Sequence, residues 1–163
     1  MPNLKEVRTR IESVNSTRQI TSAMKMVAAS KLRKAQNAIT TMRPYAAKLR
    51  ELLQNLSGSL SNTNQDKYTV VRPEESILVI PVTSNRGLCG AFNTNVMRYT
   101  ARMIAENYPS QLAAGKVSVY PIGKKGEEFF RNRKYNVTGS NIHVFDQLNF
   151  GTVSPIAEQL MGM

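Results

Sequence analysis

Residues 1–57 contain no glycine, and that absence, combined with the spacing of the apolar side chains, constrains the fold more than any other feature. The stretch is rich in Ala, Leu, Met, Lys, Arg and Gln, which lose little on entering a helix. Pro2 and Asn3 supply a start, while Ser57, Gly58 and the polar run Ser59 to Asp66 supply a stop. The reading is one helix over 1–57, a linker over 58–75 and a partial α/β domain over 76–163. At about 1.5 Å per residue the helix is a rod roughly 80 Å long, longer than a small globule is wide.

The apolar spacing defines the kind of rod. Alternating steps of three and four residues from Leu4 reach Val7, Ile11, Val14, Ala28, Leu32, Ala35, Ile39, Met42, Ala46, Leu49, Leu53, Leu56 and Leu60, with polar exceptions only at the consecutive positions Arg18, Thr21 and Lys25. A 3.5-residue period sustained this far is a coiled-coil seam, narrower than the stripe of a globular surface helix. Around the exceptions, Ile20, Met24 and Val27 carry the apolar face one position earlier, a local change of helix face between residues 18 and 28. The rest of the chain makes too small a body to cover such a rod, so the seam needs a partner. Pro44 removes one backbone donor, but the seam passes through it in phase and no turn residue precedes it, so a kink rather than a break is expected.

Charge is concentrated in the same segment. The chain carries 22 Lys and Arg against 11 acids, net +11, and most of the excess lies before residue 58. Arg18, Lys25, Lys31, Arg33 and Lys34 surround the point where the seam shifts, with almost no acids nearby. Anionic partners follow: nucleic acid, a membrane surface or acidic protein. Aromatic side chains, which stack on bases, are absent from the helix until Tyr45, so nucleic acid is the alternative rather than the leading reading. With one Cys and one His, neither an intramolecular disulfide nor a structural zinc site can form. No run of about 18 apolar residues occurs, so the expectation is a soluble or peripheral protein. The early Arg-rich stretch invites a transit-peptide reading, against which Glu6 and Glu12 stand.

Beyond the linker the period changes. Ser76 to Thr83 is continuously apolar and β-branched, which suits a strand buried on both faces. Ser84 to Asn93 is a glycine-containing loop. Helical spacing runs from Asn93 to Tyr108 and is closed by Pro109. A second strand over Lys116–Ile122, a short helix from Lys124 to Arg133 and an extended piece over Val137–Val144 follow, and Ser154–Pro155 has the form of a helix start. This alternation implies a parallel, Rossmann-like α/β unit. Pro81 and Pro121 fall inside the strands, where a missing N–H spoils a ladder, so both strands are shortened.

No catalytic set emerges. Gly87 and Gly90 lack the G-x-G-x-x-G or G-K-S/T pattern of a phosphate cradle, as do Gly123 and Gly126 beside Lys124 and Lys125, so both pairs read as tight turns packing a strand on a helix. A nucleotide-binding enzyme ranks third among the readings. Cys89 reads as a small packed residue ahead of a reactive thiol. His143 and Asp146 show no partners at the level of sequence, and no cofactor or metal is expected.

Three blocks carry a resemblance. R-I-E-S-V-N-S-T-R-Q-I-T-S-A-M-K-M-V-A-A-S-K-L-R-K-A-Q (Arg10 to Gln36), M-R-P-Y-A (Met42 to Ala46) and S-N-R-G-L-C-G-A-F-N (Ser84 to Asn93) closely resemble, in order and spacing, the gamma subunit of rotary ATP synthase. The resemblance implies a non-catalytic central shaft turning inside a ring of alpha and beta subunits and coupling proton flow to ATP synthesis at sites on beta. It implies a foot near epsilon and the membrane rotor ring of c subunits, peripheral on the cytoplasmic side of a bacterial inner membrane. By the same resemblance, Met24 and Lys25 lie in the segment close to an acidic loop of beta, Arg86 approaches the same acidic loops, and Lys31, Arg33 and Lys34 belong to the basic run facing the ring; Arg18 joins these expected partner contacts on its charge alone. The family usually has Asp where this chain has Asn85, a minor change at a turn. It also continues beyond Met163 into a long C-terminal helix that completes the coiled coil, so that half of the seam is expected from the same polypeptide or another one.

Overall fold

The computed structural model describes residues 3–59 and 73–163, with the side chains of 56–59 excepted. The chain divides into two compact units, Met1–Val71 and Arg72–Met163. Most of the expected linker lies outside the described residues.

The first unit is one helix, α1 (Leu4–Ser59, 56 residues). Asn3 starts it: its Oδ1 accepts the Lys5 N–H at 3.3 Å, satisfying one of the first-turn donors. The helix runs two residues past the expected stop at Ser57. Its threonines are accommodated by bonding the carbonyl one turn back, as in Thr17 to Ser13 (2.9 Å) and Thr21 to Thr17 (2.8 Å). The helix runs through Pro44 without interruption. Thr40 and Thr41 bond back in the same way just before that proline, at 2.9 and 3.1 Å. Every residue from 3 to 55 is exposed, the seam included.

The second unit is built on β1 (Ile77–Val79) and β2 (Val117–Val119), paired in parallel with Ile77 opposite Val117. Parallel neighbours need a crossover, supplied by α2 (Phe92–Asn107) and the short α3 (Pro109–Ala113). Pro109, expected only to close α2, opens α3 at its first turn, where the missing N–H is harmless. From β2 the chain enters α4 (Lys124–Asn132) and returns as an extended piece on the far side of β2, joined by parallel bridges at Val119–Val137 and Ile122–Asn141.

The strands are three residues long because of their prolines. Along the first strand Ile77 and Thr83 donate to Lys116 and Ile122 across the ladder, and Pro81 falls in the same alternating series without an N–H to give. On the other edge of β2, Val119 and Gly123 donate to Asn136 and Asn141, and Pro121 interrupts that series in the same way. Each proline deletes one rung, and the ladder resumes beyond it as the bridge Val82–Ile122.

The core is small: Ile104 from α2, Val117 and Val119 from β2 and Phe130 from α4, with Ile77, Val79, Met97 and Tyr135 packed around them. Phe130 makes edge-to-face contacts with Phe129 and Tyr135 at 5.1 and 5.2 Å. Both helices lie on the face of Ile77 and Val79. The alternate face stays open, with Ile80 40% and Val82 51% exposed, so the expectation of a first strand buried on both faces is corrected: its apolar run reflects β-propensity on both sides and helical cover on one.

The last helix, α5 (Phe150–Met161), begins five residues before the start expected from Ser154 as cap and Pro155 in the first turn. A reciprocal capping box sets the boundary: Asn149 Oδ1 accepts the Thr152 N–H at 3.0 Å and Thr152 Oγ1 accepts the Asn149 N–H at 3.2 Å. Pro155 is carried inside the helix.

Candidate partner interface

No acidic residue occurs between Glu12 and Glu51, a span of roughly 57 Å of helix at 1.5 Å per residue. The ion pairs of α1 lie at its two ends, Arg10 with Glu6 (3.7 Å) and Lys48 with Glu51 (2.7 Å). Between them the cations have no carboxylate on their own helix to meet.

Arg18 and Lys25 line one shallow groove with Val14, Thr17, Thr21 and Ser22. This groove lies on the seam where apolar side chains give way to polar ones. Met24, at the shifted apolar position, is 67% exposed. Lys31, Arg33 and Lys34 are also exposed. At 100° per residue Lys34 lies only about 60° round the axis from Lys31, and Arg33 about 160° from it, so Lys31 and Lys34 share one face while Arg33 points to the other side. Charge on two sides of the rod meets negative charge from more than one direction.

Arg86 belongs to the second unit, on the loop Ser84–Asn93 between β1 and α2. It is exposed, while the loop around it is tied down. Asn93 is nine-tenths buried; its Oδ1 accepts the Ser84 N–H at 3.0 Å, and its Nδ2 donates to Ser84 Oγ (2.9 Å), to the Arg86 carbonyl (3.4 Å) and to Cys89 Sγ (3.2 Å). On the other side, Asn85 Nδ2 donates to the Ile142 carbonyl at 2.6 Å and its Oδ1 accepts the Lys124 N–H at 2.9 Å, bridging the end of the third extended piece to the start of α4. Asn85 is therefore more than a minor turn substitution, because a carboxylate could accept from Lys124 but not donate to Ile142.

Sequence reasoning missed Asn93. The available signal was a polar residue at the first turn of a helix that follows a glycine-containing loop. Cys89 is exposed, between the left-handed residues Leu88 (φ 60°) and Gly90 (φ 59°), while its Sγ accepts from Asn93 within the loop.

The two glycine pairs differ. A Cβ on Gly123 would sit 2.2 Å from the Thr83 carbonyl oxygen, and one on Gly126 would sit 2.9 Å from Thr83 Oγ1. Thr83 Oγ1 accepts the Gly126 N–H at 2.8 Å, so this pair packs a strand against a helix as the sequence suggests. Gly87 and Gly90 have open space where a Cβ would go, so packing does not explain them, and Gly90 is required only by its positive φ. His143 and Asp146 meet each other, at 3.4 Å on an exposed turn. Among the described residues there is no cluster of His, Cys, Asp and Glu able to hold a metal, and no helix is long and apolar enough to cross a membrane.

Comparison with known proteins accounts for this arrangement. A family model described as ATP synthase matches residues 3–163. The ATP synthase gamma chain of Flavobacterium psychrophilum is 51% identical over 160 residues, covering 98% of this chain and 54% of that one. The ATP synthase gamma chain of Chloroherpeton thalassium is 48% identical over 159 residues, covering 98% and 52%. The chain thus spans about half the length of the curated relatives it matches. Among solved structures, a chain of the central stalk and c-ring of the Tetrahymena thermophila mitochondrial ATP synthase aligns with a TM-score of 0.62 at 30% identity, over 86% of this chain and 58% of that one. None of these similarities supports the nucleic-acid reading. A 56-residue helix with an open seam, a parallel α/β unit and the matched motifs in one order have a single explanation: the chain belongs to the ATP synthase gamma-chain family.

Proposed function

We propose that this sequence is the N-terminal part of a rotor shaft. Residues 1–57 form one strand of its coiled coil, and residues 76–163 form part of the α/β foot. The shaft is non-catalytic: it turns inside a ring of alpha and beta subunits and carries the energy of proton flow to the beta-subunit sites that make ATP. The observation that carries this reading is the helix from Glu12 to Glu51, exposed along its length, basic and without an acid.

Such a surface suits a ring of acidic loops met one after another. Weak contacts of similar strength at successive stations allow turning, whereas one tight, buried interface forbids it. Arg18, Met24 and Lys25 contact the ring where the seam becomes polar, Lys31 and Lys34 face it from one side of the helix and Arg33 from the other, and Arg86 meets the same acidic loops. The open apolar seam receives a second helix of the family's coiled coil. Epsilon and the c ring bind at the foot, and the assembly places the chain peripherally on the cytoplasmic side of a bacterial inner membrane.

The test is charge reversal in the assembled complex. Lys25→Glu together with Arg86→Glu lowers ATP-driven torque and uncouples ATP hydrolysis from proton pumping. Unchanged torque and coupling would overturn the roles assigned to these residues.

A further inference from the structure

The loop Ser84–Asn93 is held more firmly than an exposed connection requires. Asn93 fastens it from inside and Asn85 from the opposite side, and Ser84 adds two further ties: its Oγ donates to the Arg86 carbonyl at 2.5 Å and its carbonyl accepts the Lys125 N–H at 3.2 Å. What this frame presents is Leu88, which is fully exposed. Leu88 also sits at φ 60°, a left-handed conformation that costs a branched side chain about 1 kcal/mol or more and that glycine adopts freely. An apolar side chain held in strain and aimed entirely into water contributes nothing to the fold of this unit.

Charge states what it could meet. No acid occurs between Glu75 and Glu106, while Arg86, Arg98 and Arg102 lie in that stretch. Arg86, two residues from Leu88, has a carboxylate partner nowhere among the described ion pairs. We infer that the framed loop is a preformed docking element, in which Leu88 enters an apolar pocket edged by carboxylates on a neighbouring protein subunit while Arg86 pairs with that edge. Pre-ordering by Asn85 and Asn93 removes the entropy that a free loop loses on docking. A protein pocket is favoured over a lipid surface because a single leucine beside one arginine gives only marginal membrane binding, whereas a rigid, specific geometry is what a pocket rewards. The inference rests on the rotor reading and deepens it: the contact made by the Arg86 loop is apolar as well as electrostatic, and one side chain is a contact small enough to release at each station.

Leu88→Gly separates this role from a structural one by the sign of its effects. Glycine removes the side chain and relieves the left-handed strain, so the complete gamma chain carrying it should melt at the same temperature as the parent or higher. Its affinity for the reconstituted alpha–beta ring should fall about 10- to 100-fold, the effect of leaving one leucine unburied, and Leu88→Met should restore most of it. Unchanged affinity overturns the inference, and so does a fall in affinity accompanied by an equal fall in melting temperature. Leu88-dependent binding of the isolated chain to vesicles of mixed neutral and anionic phospholipid also overturns it, in favour of a membrane contact. Failure of the parent chain to assemble with the ring at all counts against the rotor reading itself, a result that these variants cannot mimic.

Discussion

The two units of this chain are stable for opposite reasons. In α1 every described side chain is exposed, so the helix owes its form to propensity, length and local bonds such as the Asn3 cap and the threonine back-bonds. Its apolar seam adds nothing until something covers it, and most helical stability in proteins comes from such cover. In the α/β unit, a handful of fully buried side chains from three elements hold strands that are only three residues long. One unit leaves its apolar surface open and the other buries its own. The proposed role as a shaft needs that division, because a helix already satisfied by its own domain has no seam left to offer.

The contrast is tested most severely by paired core and seam substitutions. Phe130→Ala should cost the α/β unit about 3–5 kcal/mol, read by chemical denaturation. Ile39→Ser, on a seam side chain that is 52% exposed, should change the unfolding of the isolated chain by less than about 0.5 kcal/mol while weakening coiled-coil assembly. A loss of 2 kcal/mol or more in the isolated chain with Ile39→Ser would mean that the seam is covered from within. Next in size is Pro44→Ala, which restores a backbone donor in mid-helix and should favour α1 by up to about 3 kcal/mol, measured as increased helical circular dichroism of the segment 1–59. No gain there would show that local propensity is not what holds the rod.

Within the α/β unit, Gly123→Ala places a Cβ against the Thr83 carbonyl at φ 103°, and should cost roughly 2 kcal/mol or more. Gly87→Ala, which meets nothing, should lie within about 0.5 kcal/mol of the parent. Equal effects would break the distinction drawn between the two glycine pairs. The smallest expected effect is electrostatic. The hydrogen bond from Lys125 holds the Glu128 carboxyl below its ordinary value of 4.5, against a desolvation contribution that raises it. A depressed folded pKa stabilises above the unfolded value and is lost as pH falls through the folded one. Glu128→Gln should therefore lower stability slightly at neutral pH, where the contribution is present, leave it unchanged at strongly acid pH, and so flatten the acid limb below about pH 4.5. The effect is small, as suits an exposed pair.

What could be read without coordinates was what is local. The rod, its seam and the polar interruption at Arg18, Thr21 and Lys25 follow from a period of three and a half residues, and the alternation of strands and helices follows from short apolar, β-branched runs set between stretches of helical spacing. Boundaries set by reciprocal side-chain bonds were read less well. Ser154–Pro155 carried a familiar start signal, yet the cap formed five residues earlier, where Asn149 and Thr152 satisfy each other and take the helix start with them. The apolar run of the first strand gave its identity but not its cover, since composition cannot say on which face two helices settle.

Helix propensity and periodicity act between residues three or four apart, so a long basic helix with an exposed apolar edge could be read directly from the order of residues. How the Arg86 loop is held, and what it displays, depends instead on contacts between distant parts of the chain. Asn85 reaches Ile142 across 57 positions and Thr83 reaches Gly126 across 43, and no local pattern encodes pairings so distant. Two prolines set in neighbouring register, and a leucine forced outward at a left-handed turn, acquire their meaning only once the strands are side by side.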